Sequence, residues 1–266
     1  MKVMDCHCHI FPGKIAEKAS ENVGDFYGVS PMYSYHPTGE QLLEDCASSP
    51  IARHIVHAVA LKPSAVKAIN DYIAQECQLH PEFVGFATMH PDFADPEAEI
   101  ERALEMGLKG LKLHPDMQQV DADDPRLMKI YEIIEGRMPL MIHCGDRREE
   151  IQYSRVDRLL SVTEAFPNLV IDAAHLGGWG MQEDVCKALT ARGCFFDMSS
   201  CQPFMDREEL VRIIRSYGTE HVMFGSDYPM WGPVQEYESF ISCGFSDEEL
   251  EDMLWNNCER YLGFEL

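Results

Sequence analysis

Residues 2–9 read Lys2-Val3-Met4-Asp5-Cys6-His7-Cys8-His9 and run straight into Ile10-Phe11-Pro12-Gly13. An extended segment stopped by Pro and Gly reads as a strand. Side chains two apart on a strand share a face, so His7 and His9 are expected to enter the interior of a closed sheet while Cys6 and Cys8 point out towards helices. The turn after the strand is equally informative. A dinucleotide-binding sheet would carry a Gly-rich phosphate turn here, and Cys8-His9-Ile10-Phe11-Pro12-Gly13 is not one.

Further along, short apolar runs bounded by Gly, Pro or Asp at 55–61, 83–89, 110–114, 140–143, 169–175, 194–198 and 221–226 read as seven more strands. Helix-like stretches lie between them, at 96–106, 125–135, 155–166, 182–192 and 207–217, with apolar residues recurring at three and four. Eight strands in 266 residues leave about 33 residues per unit, the size of a strand with its crossover helix. The expected fold is α/β: a single (β/α)₈ TIM-type barrel spanning 1–266. Residues 10–51, rich in Gly, Pro, Ser and Tyr, read as a long first loop, and 246–262, opened by Ser246 and Glu249 in capping-box spacing, as a C-terminal closing helix.

Composition narrows the function classes. The 45 acidic residues against 22 Lys and Arg give a net charge of −23, so a polyanion is repelled and nucleic-acid binding is not expected. No run reaches the roughly 18 apolar residues of a membrane-spanning helix, so no membrane partner is expected. Asp5 and His7 stand where a secretory signal would have its apolar segment, and ten scattered cysteines make no disulfide framework. A cytoplasmic protein with reduced thiols is the expectation.

The chemistry lies in where the histidines fall. His7 and His9 end the first expected strand, His114 the fourth, His143 the fifth and His175 the sixth, and Asp227 comes directly after the eighth. In a barrel those ends share one mouth, so residues far apart in sequence meet there. Neutral imidazole suits zinc and other borderline divalent ions, and His143 and Asp227 can complete a set begun by His7 and His9. A local zinc site of Cys6, His7, Cys8 and His9 is disfavoured, because side chains of alternating direction cannot close a tetrahedron. On the substrate side, Arg147 is suited to grip a carboxylate and Trp179 to form an aromatic wall, with a solvated charged loop as the plainer reading of the arginine.

The ordered motifs Asp5-Cys6-His7-Cys8-His9, Gly107 to Pro115 (GLKGLKLHP), Met141-Ile142-His143-Cys144, Ala174 to Gly178 (AHLGG) and Gly225 to Pro229 (GSDYP) together resemble the amidohydrolase superfamily. More narrowly, they resemble its amidohydrolase-related subgroup, which includes aminocarboxymuconate-semialdehyde decarboxylase-like enzymes. The resemblance implies a metal held by His7, His9, His143 and Asp227, with His175 beside the metal-bound water. It also implies a homodimer. One divalent ion is expected, zinc first and manganese or iron next. A second ion would need a carboxylated Lys112, since the fourth strand offers Lys112 and His114 but no Glu.

A divalent ion that activates water makes a metal-dependent hydrolase of a small, carboxylate-bearing amide, ester or lactone the first expectation. Asp227 and His175 are its catalytic residues: Asp227 moves the proton and His175 orients the attacking oxygen. Lys112, His114, Arg147 and Trp179 are the substrate-binding candidates. The alternative is a non-oxidative carboxy-lyase, a decarboxylase of an unsaturated or aromatic acid, and it uses the same residues.

Overall fold

The computed structural model describes residues 2–180 and 188–266. Six parallel strands lie side by side in chain order: β1 (Val3–His9), β2 (Ile51–His57), β3 (Phe83–Thr88), β4 (Gly110–Leu113), β5 (Leu140–Ile142) and β6 (Ile171–Ala173). A parallel pair, β7 (Phe196–Asp197) and β8 (Val222–Met223), completes the set. Isolated bridges between Asp172 and Phe195 and between Cys8 and Tyr228 join the two sheets at both seams. The Cys6 amide donates to the Phe224 carbonyl at 3.0 Å and the Asp227 amide to the His7 carbonyl at 3.0 Å, so the eight strands close into the expected α/β barrel.

Between the strands run α3 (Val66–Leu79), α4 (Pro96–Glu105), α6 (Pro125–Ile134), α7 (Val156–Ala165) and the helix Arg207–Tyr217. Their starts are written in the sequence: Asp95 caps α4 by accepting from the Ala98 amide and Asp124 caps α6 by accepting from the Arg126 amide, each with Pro next in line. The closing helical segment opens on a complete capping box. Ser246 Oγ accepts from the Glu249 amide at 3.2 Å, and Glu249 returns the bond to the Ser246 amide at 2.7 Å. One π turn, Asp252–Asn256, interrupts this segment, and there the Met253 carbonyl accepts from the Phe224 amide just past β8.

Four expectations need correction or completion. The second strand begins four residues earlier than expected and ends at His57. Residues 58–61 look strand-like because they are apolar, but the Ala60 amide is satisfied by Thr88 Oγ1 rather than by a ladder partner. The first loop is not irregular throughout: it holds α1 (Ala16–Tyr27) and α2 (Gly39–Cys46). The buried side of α1 is Ala16, Ser20 and Gly24, too small and too polar to show an apolar period. Cys6 does not face the crossover helices but turns inward, where it meets Cys258 of the closing helical segment. The register of β1 against β2 slips between Asp5 and Cys8, and this bulge turns Cys6 into the inner cluster with Met4, Phe86, Met141 and Tyr261, while Cys8 packs outside with Leu42 and Val56. Of the helix expected at 182–192, residues 182–187 lie outside the described residues, and 188–190 are helical.

Candidate active site

The bulge in β1 also sets the site. His7 Nδ1 donates to Asp197 Oδ2 at 2.8 Å, which leaves the Nε2 lone pair facing inward. There it lies 3.5 Å from Asp227 Oδ1, and His9 Nε2 lies 3.5 Å from the same oxygen. The strand end of β2 adds a third imidazole, for the ligand nitrogens of His7, His9 and His57 fall within 4.8 Å of one another. His57 is fully buried and neither of its ring nitrogens has a hydrogen-bond partner. Orphaned imidazole nitrogens beside two converging lone pairs and a carboxylate fit a divalent cation, and they form a potential metal site.

Burial drives the local electrostatics. It pushes His9 down to about 4 despite the neighbouring Asp227, and His57 well below the ordinary range, so both rings are neutral and able to ligate near neutral pH. Burial alone would raise Asp227, but the surrounding His7, His9 and His175 outweigh it and hold the carboxyl well below its usual value. Asp227 Oδ2 in turn accepts from Ser200 Oγ, which accepts from Trp231 Nε1 at 2.9 Å. His175, Ser200 and Asp227 all have positive φ, at 59°, 55° and 60°. Non-glycine residues held there at the ends of three strands carry strain of the kind found where side chains must be aimed.

A second group of rings adjoins the first. His175 Nδ1 donates to the Ser199 carbonyl at 3.0 Å, so its Nε2 accepts from His143 Nδ1 at 2.9 Å. Burial lowers His175 to about 3, which keeps the ring neutral. His114 caps the short helix α5 (Pro115–Gln118) by accepting from the Met117 amide at Nδ1. Its Nε2–H therefore reaches the Tyr27 hydroxyl, 2.7 Å away, and that hydroxyl lies 3.3 Å from His143 Nε2. His114 and His143 stack with centroids 3.9 Å apart.

His7, His9, Lys112, His114, His143, His175 and Asp227 all line one cavity of about 30 Å³. That is room for an ion and little else. Lys112 is completely buried with Nζ 3.0 Å from His7 Nε2, so it does not snorkel to solvent; burial lowers its pKa although Asp197 and Asp227 oppose the shift. Arg147 and Trp179 are not among the lining residues. Arg147 lies over the Trp179 and Phe204 rings, and Trp179 packs edge-on against Tyr27 from behind.

Sequence reasoning missed His57, Asp197 and Tyr27. With β2 placed correctly, His57 ends its strand as the other site histidines do, and Asp197 likewise ends β7. Tyr27 carries no such signal, because it arrives on a helix whose existence the sequence hid.

A parallel eight-stranded barrel with imidazoles and a carboxylate gathered at the C-terminal strand ends defines a metal-site barrel enzyme. The amidohydrolase family profile matches residues 4–264, and the chain belongs to that family. No curated protein matches the chain in sequence. Among solved structures it is similar to a 2,6-dihydroxybenzoate decarboxylase complexed with 2,6-dihydroxybenzoate, with TM-score 0.77 and 14% identity over 99% of this chain and 100% of that one. It is similar as well to the 5-carboxyvanillate decarboxylase of Novosphingobium aromaticivorans DSM 12444, complexed with manganese and 4-hydroxy-3-methoxy-5-nitrobenzoic acid, with TM-score 0.76 and 16% identity over 99% and 96%. A Pseudomonas putida protein assigned as a 2-pyrone-4,6-dicarboxylic acid hydrolase has TM-score 0.70 and 20% identity over 100% and 98%.

Proposed function

We propose that the protein is a metal-dependent, non-oxidative decarboxylase of a small aromatic or unsaturated carboxylic acid. The observation that carries this reading is the convergence of His7, His9 and Asp227 beside the buried Lys112, around a cavity with room for a cation. Similarity to two decarboxylases, one of them with manganese, supports carbon dioxide release over the amide, ester or lactone hydrolysis drawn first from the sequence.

His7, His9 and Asp227 would hold the cation, with His57 and His143 as further donors. Manganese or zinc suits this set of nitrogens and one carboxylate. When bound, the ion supplies Lewis acidity to a carboxylate or carbonyl oxygen. Lys112 pairs with the substrate carboxylate. Neutral His175, held between the Ser199 carbonyl and His143 Nδ1, positions the His143 ring. Asp227 relays the proton: it stands as a carboxylate, an incoming substrate carboxylate raises its proton affinity by like-charge repulsion, and it takes up a proton from solvent to become the acid. It protonates the carbon that bears the carboxylate, the carbon–carbon bond breaks, and its electron pair restores the double bond as carbon dioxide leaves.

The test is to assay manganese-loaded protein against a panel of aromatic acids for carbon dioxide. Release matched one-for-one by the decarboxylated product supports the proposal. Silence across the panel, together with cleavage of lactones or esters, restores the hydrolase.

A further inference from the structure

Beside the site lies a second cavity, of about 480 Å³, that shares His9, Val23 and Met117 with the first. Two helices wall it. α1 and the residue before it turn Ile15, Ala19 and Val23 towards it, and α3 with its lead-in turns Ala65, Ala68, Ile69 and Tyr72, each set at helical spacing. The space persists because three of these seven side chains are methyl groups, too short to close the gap between the helices. At its mouth Ile15 and Leu61 are 51% and 43% exposed, a costly arrangement unless something apolar covers them.

We propose that this cavity holds the apolar body of the substrate, so that the acid acted on carries an extended alkyl or aryl group rather than being a small polar acid. The inference rests on the function proposed above, and its grounds are adjacency and size. The inner cavity has room for a cation but not for the body of an organic acid. His9, on the boundary, is at once a cation donor and a wall of the apolar cavity, and Phe11 stacks over it with centroids 6.5 Å apart. A substrate whose carboxylate approaches the cation past His9 therefore has an apolar space adjoining its other end. The larger volume is within the 300–1,000 Å³ range of small-molecule pockets.

Titration calorimetry of manganese-loaded protein with 4-n-alkylbenzoates, from methyl to hexyl, tests this without requiring turnover. Each buried methylene is worth about 0.8 kcal/mol, so affinity should rise by about fourfold per added carbon. Ala68→Trp, on the exposed side of α3, should abolish that gain for the long members and leave 4-methylbenzoate within twofold. Ala19→Leu, from the opposite wall, should do the same in part. A series that is flat in the wild type, binding by no member, or a slope that survives Ala68→Trp overturns the inference. If the apolar mouth serves instead to pair two copies of the chain, sedimentation will show an association broken by Leu61→Glu and the series will be flat, which also overturns it. A steep series in a protein that releases no carbon dioxide upholds the cavity and refutes the decarboxylase.

Discussion

Asp227 stands at the centre of the site because one of its oxygens faces both β1 imidazoles and the other is held by Ser200. Asp227→Asn keeps the shape and removes the proton. Turnover should fall by about 10²–10⁴-fold in a steady-state assay while the circular dichroism spectrum stays that of the parent. Asp197 acts one step back, through His7 Nδ1. Replacing it by Asn removes the charge that fixes the ring's tautomer, and metal affinity measured by competition with a chelator should drop by about 10–100-fold.

Individual elements show which parts of the sequence are readable. Ser246 and Glu249 announce the closing helix, and both halves of the box form. Ser246→Ala should cost about 1 kcal/mol of unfolding free energy in urea, with no change in metal binding. The strand ends of β1, β4, β5 and β6 are legible because each stops in or beside histidine, next to a turn residue or short loop. β2 is harder to place because apolar character alone does not tell a paired strand from an apolar run whose amide bonds to a side chain, as Ala60 does with Thr88. α1 is invisible because close packing around Gly24 favours small residues; a Cβ there would lie 2.8 Å from the Val29 carbonyl oxygen.

The whole molecule buries a ring of neutral imidazoles, and its stability should depend on pH accordingly. Burial lowers His9 to about 4 and His54 and His175 to about 3, below the unfolded value near 6.5. The unfolded chain therefore binds more protons as pH falls, so stability is fully present above about pH 6.5 and is lost progressively below it. For metal-free protein, urea midpoints should decline from about pH 6.5 to about pH 4, each such histidine contributing up to about 1.4 kcal/mol per pH unit. A divalent ion at about 100 times its dissociation constant should add about 2.7 kcal/mol at neutral pH, and the gain should shrink in the same window because protons compete for the ligands. A chelator should reverse it. A melting temperature indifferent to manganese and zinc would count against the metal site.

The sequence by itself determined the α/β barrel and most of the ring of site histidines, because strand period, turn residues and strand-end position are local properties of the chain. Tertiary structure alone decided that a bulge sends Cys6 inward, that Asp197 and His57 join the site, that Tyr27 bridges His114 and His143, and that an apolar cavity opens beside His9. Those facts depend on register between strands and on the fit of α1 and α3 over the barrel mouth, which are relations between distant segments that no local pattern encodes.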